Sequence, residues 1–362
     1  MATRGISVLG ATGYTGGLIV RELQRRGIRC IAAGRSAPKL QALAAAVDGV
    51  ATLQADVHDP ASLQRLAEQS KVIINCVGPF VDHGEPVVRA AIEHGAHYLD
   101  TTGEQPFMKA MIAHDEWARR QGVAVVSAQA FEVAVSDCAT ALTVRGFRDV
   151  AAVHVSYVTL FHASQGTQRS VLRMLQSAGY AWERGEWVEQ PPARVVRPLD
   201  LPALGRLAAV SFPSAEIITI PRHVSTPEVR TFMAFSPLVA ATIKAAAPWM
   251  RRLARTPLAA LGARFIGDGT AGPDEATRTG DAFHIVIEIR GVRDGRAARR
   301  QTIVHGKDPY GLTAVVAAYG AQKMCADGYD RNGILAPAMA FDAEDLLGHC
   351  REFGVSWEST DT

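Results

Sequence analysis

The sequence predicts an α/β protein: a Rossmann doubly wound parallel sheet with an inserted α+β domain built on a largely antiparallel sheet. Three observations predict it. The stretch Ile6–Gly17 (ISVLGATGYTGG) runs from a short apolar segment through a glycine-rich turn into a helical pattern. Strand and helix patterns then alternate as far as Ala128. Beyond Ala130 that rhythm gives way to longer β-rich runs.

The first unit sets the chemistry. Ile19, Val20 and Leu23 are apolar while Arg21, Glu22, Gln24 and Arg25 are polar, and the helical pattern stops at Gly27. The glycines are spaced Gly10-x-x-Gly13-x-x-Gly16. They let backbone pass close to a pyrophosphate, whose charge then faces the free N–H groups and positive dipole of the new helix. Gly10, Thr12, Gly13, Tyr14 and Thr15 are the candidate phosphate contacts.

Five further alternations follow. Arg29–Gly34 reads as a strand and Pro38–Val47 as a helix. Ala51–Ala55 is a strand, and Asp59 caps a helix with Pro60 at its first position. Lys71–Val77 is a buried strand closed by Gly78-Pro79, and Pro86–His94 is helical. His97–Asp100 is a strand, Gln105–Gln121 a helix and Val123–Ala128 a sixth strand. Next, Ser136 reads as the N-cap of a helix reaching about Arg145. The β-rich runs are Ala152–Phe161, Glu216–Pro221, Glu228–Ser236, Phe283–Arg290 and Arg299–His305, the last two joined by a turn at Arg293-Asp294-Gly295. The tail is helical over Thr313–Ala326 and Ala343–Glu352 and is expected to return to the first domain. The expected organisation is a nucleotide-binding domain over 1–130, an α+β substrate and oligomerisation domain over 131–305, and returning helices over 306–362.

The second strand selects the cofactor. Nucleotide folds that take NAD place a carboxylate about 20 residues past the glycines, on the ribose 2′-hydroxyl. No Asp or Glu occurs between Glu22 and Asp48. The strand ends instead in Gly34-Arg35-Ser36, with Lys39 one turn into the next helix. A guanidinium fork and a hydroxyl suit a 2′-phosphate, so the expected cofactor is NADP(H). Asp56 follows the third strand and either meets the adenine amino group or caps a turn. Val77, Gly78 and Pro79 follow the fourth strand at the topological switch point, where ligands sit.

Composition narrows the class. A formal net charge of +2 argues against a dedicated nucleic-acid binder. The five cysteines, Cys30, Cys76, Cys138, Cys325 and Cys350, are scattered without metal spacing, and reduced thiols in a cytoplasmic protein are the expectation. No signal peptide or transmembrane segment is read. Pro237–Phe265 is apolar with Lys244, Arg251, Arg252, Arg255 and Arg264 interspersed. It is read as a dimer interface or lid, with a membrane surface or an acidic acyl carrier protein as the alternative.

The motifs GATGYTG (Gly10–Gly16), AGRSAPKL (Ala33–Leu40), NCVGPF (Asn75–Phe80) and GEPVVRAAIEHGAHYLDTTGE (Gly84–Glu104) resemble those of the saccharopine dehydrogenase-like oxidoreductases, a group that includes trans-acting enoyl reductases. DPYGLTA (Asp308–Ala314) and GILAPAMAFD (Gly333–Asp342) resemble that family's return to the nucleotide domain. The resemblance implies NADP(H), a Rossmann domain and an inserted substrate domain. The family often reads GFDSxPSD after the sixth strand. Here Phe131, Ser136 and Asp137 match, while Ala130, Glu132, Val133 and Val135 depart from it.

Tyr98, Asp100 and Glu104 surround the carboxyl end of the fifth strand, where an acid could orient substrate or relay a proton. The alternative for Glu104 is a helix cap. In the second domain Arg222 could bind a substrate carboxylate and His223 could donate a proton. Tyr157, His162, Arg169 and Tyr310 read as core or surface. No metal site is expected. The chain is therefore expected to transfer a hydride to or from a C=N, C=C or C=O bond of a small metabolite, as a homodimer. The rivals are an enoyl reductase on carrier-bound acyl chains and a non-catalytic NADP sensor.

Overall fold

Two sheets organise the computed structural model, which describes residues 4–159, 162, 164–165, 179–201, 204–254 and 272–361. The first sheet is built from β1 (Gly5–Leu9), β2 (Cys30–Gly34), β3 (Val50–Gln54), β4 (Ser70–Asn75), β5 (His97–Asp100), β6 (Ala124–Val126) and β15 (Gly333–Leu335). Their order is β15-β6-β5-β4-β1-β2-β3, and every pairing is parallel. A parallel sheet needs helices on both faces, so its central strands carry continuous apolar runs, as in Val72–Ile74 and Ala124–Val126. Along β4, Val72 and Ile74 enter one core and Ile73 the other; along β6, Ala124 and Val126 enter one and Val125 the other. Helices Tyr14–Arg25 and Pro309–Cys325 pack together on the first face, through Ile19, Leu23 and Val315. Helices Pro60–Gln69 and Phe80–Glu93 cover the other through Leu66, Val87 and Val88. Asp59 caps the Pro60–Gln69 helix by accepting from Ala61 N at 3.1 Å.

The second sheet has nine strands. Seven lie in the order β10-β11-β12-β7-β13-β14-β16, and β8 and β9 attach through β12. The ranges are β7 (Asp149–Thr159), β8 (Gly179–Glu183), β9 (Glu186–Gln190), β10 (Val196–Leu201), β11 (Gly205–Ser211), β12 (Glu228–Phe235), β13 (Ala282–Arg293), β14 (Arg296–Lys307) and β16 (Ser356–Asp361). Only β12 with β7 is parallel. The β13–β14 turn places Asp294 and Gly295 at φ 50° and 76°, the left-handed pair that suits the twist of a two-residue hairpin. Phe283, Ile285, Ile287 and Ile289 of β13 all face inward, as their alternation predicts.

Helix Phe131–Thr143 joins the two halves. It packs on helices Pro309–Cys325, Pro337–Ala340 and Ala343–Arg351 and on β13 and β14. Its residues are therefore buried on nearly every side. Ser136 is not its N-cap; it lies inside the helix and donates to Val133 O and to Glu216. Burial overrides the low helix propensity of Val133 and Val135, so the N-cap is Ala130 and the helix starts six residues earlier than expected. Glu216–Pro221 is likewise not a strand. Glu216–Thr219 is α-helical and Ile220–Arg222 a 3₁₀ turn, wedging Ile217 and Ile220 into one core and Ile218 into the other. A short apolar run has no period that separates strand from buried helix.

Other boundaries move less. The Pro86–His94 helix begins at Phe80, with Pro86 inside it, and a 3₁₀ turn at Ile112–His114 divides the expected Gln105–Gln121 helix. Strands β8 to β11 carry no clear periodic signal. The tail splits: β15 joins the first sheet and β16 pairs with β14 of the second. Helix Pro237–Ala254 seats Ala240 against the second sheet and exposes Leu238, Val239 and Trp249. Phe161, Arg169 and residues 255–265 lie outside the described residues. Among the described residues, no helix is long and apolar enough to cross a membrane, and no cluster of side chains could hold a metal ion.

Candidate active site

The turn after β1 is shaped for close approach. Gly10 sits at φ 82°, and a Cβ there would lie 3.0 Å from Val77 Cγ2 and 3.1 Å from the Cys76 carbonyl carbon. A Cβ on Gly16 would lie 2.3 Å from the Gly10 carbonyl oxygen. The helix that follows has Gly13 as N-cap, without a side-chain cap and without an acid in its first turn. Its first N–H groups and its dipole are thus left for an external anion.

At the carboxyl edge of the sheet a buried polar chain ties three strand ends together. Asn75 at the end of β4 accepts from Val77 N at 3.0 Å and donates to Tyr98 Oη at 3.1 Å. Tyr98 in turn hydrogen-bonds Asp100. Asp100 also accepts from Thr102 N, Ala128 N and Ser127 Oγ at 2.9–3.1 Å. Burial raises Asp100 to about 6 against the pull of these donors, and it raises Tyr98 well above the usual tyrosine range. Both are wholly buried, at 0% exposure. They fix the loops after β4, β5 and β6. Glu104 accepts from Phe80 N at 3.1 Å and Val81 N at 2.9 Å, so it caps the Phe80–Glu93 helix across the crevice rather than its own helix.

Residues 6–128 match the family of saccharopine dehydrogenase NADP-binding domains. The chain carries a saccharopine dehydrogenase-type NADP-binding domain. A human saccharopine dehydrogenase-like oxidoreductase is 32% identical over 178 residues, 44% of this chain and 42% of that protein. A Mycobacterium tuberculosis relative, named as a candidate trans-acting enoyl reductase, is 35% identical over 139 residues, 36% of this chain and 33% of that protein. The matches thus span less than half the length of these curated relatives. The apo saccharopine dehydrogenase (L-Glu forming) of Saccharomyces cerevisiae superposes over 99% of this chain and 100% of its own, with a TM-score of 0.68 at 13% identity, which shows a shared fold.

The residues present fit NADP. The glycine cradle would be filled by any Cβ at Gly10 or Gly16. Thr12 Oγ1 lies 3.8 Å from where a Cβ on Gly34 would stand, so the two loop tips meet. Past Gly34, Arg35 is exposed, and among the described residues no acid pairs with its guanidinium. Its carbonyl is held by Gln54 Nε2 at 2.9 Å, which fixes the backbone beneath it. Ser36 caps the next helix through Lys39 N at 3.4 Å, and Lys39 is exposed beside it. Asp56 Oδ1 accepts from His58 N at 3.0 Å, so its turn-capping role is realised with one oxygen. Val77 stands against Gly10 of the glycine turn, and Gly78 and Pro79 lead from it into the Phe80–Glu93 helix, whose N-cap is Pro79.

Tyr14 and Thr15 open the helix of the NADP-binding domain, but Tyr14 also reaches the second domain. Its hydroxyl donates to Pro273 O at 2.6 Å, and its ring meets Tyr310 edge-on at 5.0 Å. Burial pushes the Tyr14 phenol up to about 12. The segment at 272–273 therefore lies against the start of the cofactor helix.

His223 is not brought to this crevice. Its Nε2 lies 2.9 Å from Asp137 Oδ1, and Arg222 Nη2 donates to Ile334 O of β15 at 2.6 Å. The sheet order puts β15 four strands from β1, roughly 19 Å at the usual strand spacing. Arg222 and His223 instead border an open basin shared with Arg148, Arg184, Arg290 and Arg299.

Two acids that sequence reasoning did not select come near each other, one on the Phe131–Thr143 helix and one on the Glu216–Thr219 helix. Glu132 is half-buried in the first turn of the Phe131–Thr143 helix, its Oε1 3.9 Å from where a Cβ on Gly103 would stand. Glu216 is wholly buried, and its Oε1 accepts from Ser136 Oγ at 2.7 Å and from the Tyr157 hydroxyl. Glu216 Oε2 is buried without a partner among the described residues. Burial, with the like charge of Glu216 added, pushes Glu132 up to about 7. For Glu132 the signal was an acid opening the helix after the sixth strand. For Glu216 none existed, because its segment carries a strand-like pattern.

Proposed function

We propose that the protein is an NADP(H)-dependent oxidoreductase that transfers a hydride to or from a C=N, C=C or C=O bond of a small metabolite. The observation that carries this reading is Arg35, a guanidinium without an acidic partner among the described residues, at the end of β2 where an NAD-specific site keeps an acid. The uncapped helix start would hold the pyrophosphate, and Arg35 with Ser36 and Lys39 the 2′-phosphate. When bound, the nicotinamide supplies or accepts the hydride. The protein's part is orientation and exclusion of water. Asn75, Tyr98, Asp100 and Glu104 hold the walls of the crevice as positioning residues, and Tyr14 anchors the second domain over it.

The test is oxidation of NADPH, followed by loss of the reduced-nicotinamide absorbance, against a panel of imine, enoyl and carbonyl acceptors. Turnover with any acceptor supports the reading. Tight NADPH binding with no turnover across the panel favours a cofactor sensor. A carrier-bound acyl substrate is the second reading. It draws on the name of the mycobacterial relative and on the exposed Leu238, Val239 and Trp249 beside Lys244 and Arg252. The same exposed face fits a homodimer contact, and the five free cysteines fit a cytoplasmic setting.

A further inference from the structure

We propose that Glu132 exchanges the substrate proton in this reaction, and that Glu216, with Ser136 and Tyr157, keeps it protonated for that purpose. The inference rests on the oxidoreductase reading above. It adds the acid–base group that the candidates Tyr98, Asp100, Glu104 and His223 do not supply. Tyr98 and Asp100 are sealed at 0% exposure. Glu104 has both carboxylate oxygens on the N–H groups of Phe80 and Val81. His223 is turned to Asp137 on the β15 side.

Glu132 differs from each of them. It is half-buried, it opens a helix at the carboxyl edge of the first sheet, and its carboxyl neighbours the loop after β5. Among the described residues no basic side chain compensates it. The titratable groups that bear on it come from the second domain: Glu216 from the Glu216–Thr219 helix and Tyr157 from β7. Asp137, further along its own helix, is engaged by His223 and by Ala338 N.

The division of labour follows from the donors. Burial raises Glu216 as well, but hydroxyl donors at Ser214, Tyr157 and Ser136 oppose that rise and favour its charged form. Among the described residues Glu132 has no hydroxyl donor; its burial first, and the charge of Glu216 added to it, raise it to about 7, so it is the member that holds a proton near neutrality. Glu216 is wholly buried, whereas Glu132 is half-buried with its Oε1 beside Gly103 in the loop after β5, so of the two it is the one a substrate in the crevice would meet.

The step balances. In the reductive direction the acceptor carbon gains hydrogen with its electron pair from NADPH, and the π bond opens onto the partner atom. That atom takes the proton from Glu132, and the resulting carboxylate is reprotonated from water. The oxidative direction reverses each transfer. Two sequence-distant acids would thus become one acid–base couple only when the second domain is seated on the first.

The coupling is tested without any substrate. Glutamate is labelled with ¹³C at the carboxyl, and the Glu132 signal is assigned by its loss in Glu132→Gln. It is then followed against pH in the full-length protein with saturating NADP⁺. The expected midpoint is about 7. Glu216→Gln removes the like charge and is expected to lower that midpoint, while burial keeps it above the free value. Tyr157→Phe removes a donor from Glu216, favours its protonated form, and is expected to move Glu132 the same way. A Glu132 midpoint near the free value of about 4.3, or one that neither variant moves, overturns the proposal. With any acceptor that turns over, Glu132→Gln is expected to lower kcat by about 10²-fold or more and leave NADPH affinity unchanged. An unchanged kcat overturns it too. Absence of NADPH binding would sink the oxidoreductase reading, while the titration would still report whether the couple exists.

Discussion

At the scale of single residues, a carboxylate's role is decided by what its oxygens already hold. Glu104 and Glu132 look alike in the sequence, each an acid just past a strand of the nucleotide fold. Glu104 is committed to Phe80 N and Val81 N, whereas Glu132 has only a like charge for company. Glu104→Ala would leave the Phe80 N–H buried without an acceptor. The expected loss is about 1–3 kcal/mol in urea-induced unfolding, with little change in any chemical step. Gly16→Ala is a harder case. The added methyl would sit 2.3 Å from the Gly10 carbonyl oxygen, so the turn must open. NADPH affinity, read by fluorescence titration, is expected to fall by more than about tenfold, and a Gly16→Ala variant that binds normally would show that the turn is not the phosphate cradle. The glycine turn and Arg35 were legible because their chemistry is local. Glu216 was not, because its meaning comes from Ser136 and Tyr157, which lie 80 and 59 residues away.

Among elements, periodicity reported faithfully wherever one face meets one core. The strands β1 to β6 and the helices between them appear in the expected order, because each carries a 2.0 or 3.6 repeat set by the sheet it packs on. The Phe131–Thr143 helix broke the rule for a physical reason. Packed between two domains it has no polar face, so its start carries no amphipathic signal, and Ser136 imitated a cap. The same helix holds Asp137, whose pairing with His223 gives a pH signature. Burial opposes charge on His223, but the adjacent Asp137 outweighs it and raises the imidazole above its ordinary value. A raised folded pKa means the folded state binds the proton more tightly than the unfolded chain. The contribution is therefore full below the unfolded value of about 6.5 and is lost as pH rises through the folded one. The stability gap between the native protein and His223→Gln should be wider at about pH 5.5 than at about pH 9. A gap that widens with pH would contradict the pairing.

For the whole molecule, the two domains are joined by more than the chain between them. Tyr14 of the first reaches Pro273 of the second, Arg222 of the second reaches Ile334 of the first, and the tail contributes a strand to each sheet. The tail's return to the first domain was expected, but its two strands carried no periodic signal, since β15 is three residues long and β16 is a mostly exposed edge. Removing residues 356–362 would uncover β14 and free Arg293 and Arg300 from Asp361. An uncovered edge strand invites pairing between chains. Self-association in size-exclusion chromatography is expected, with NADPH binding retained because the glycine turn lies in the other sheet.

Reading of the nucleotide's ribose phosphate by Arg35 is tested most directly by paired titrations of NADPH and NADH into the native protein and Arg35→Ala. The native protein should prefer NADPH. The substitution should weaken NADPH by about 10- to 100-fold, corresponding to the roughly 1.5–3 kcal/mol typical of hydrogen bonds to a charged group, and leave NADH nearly unchanged. A native preference for NADH, or an equal loss for both nucleotides, would contradict it.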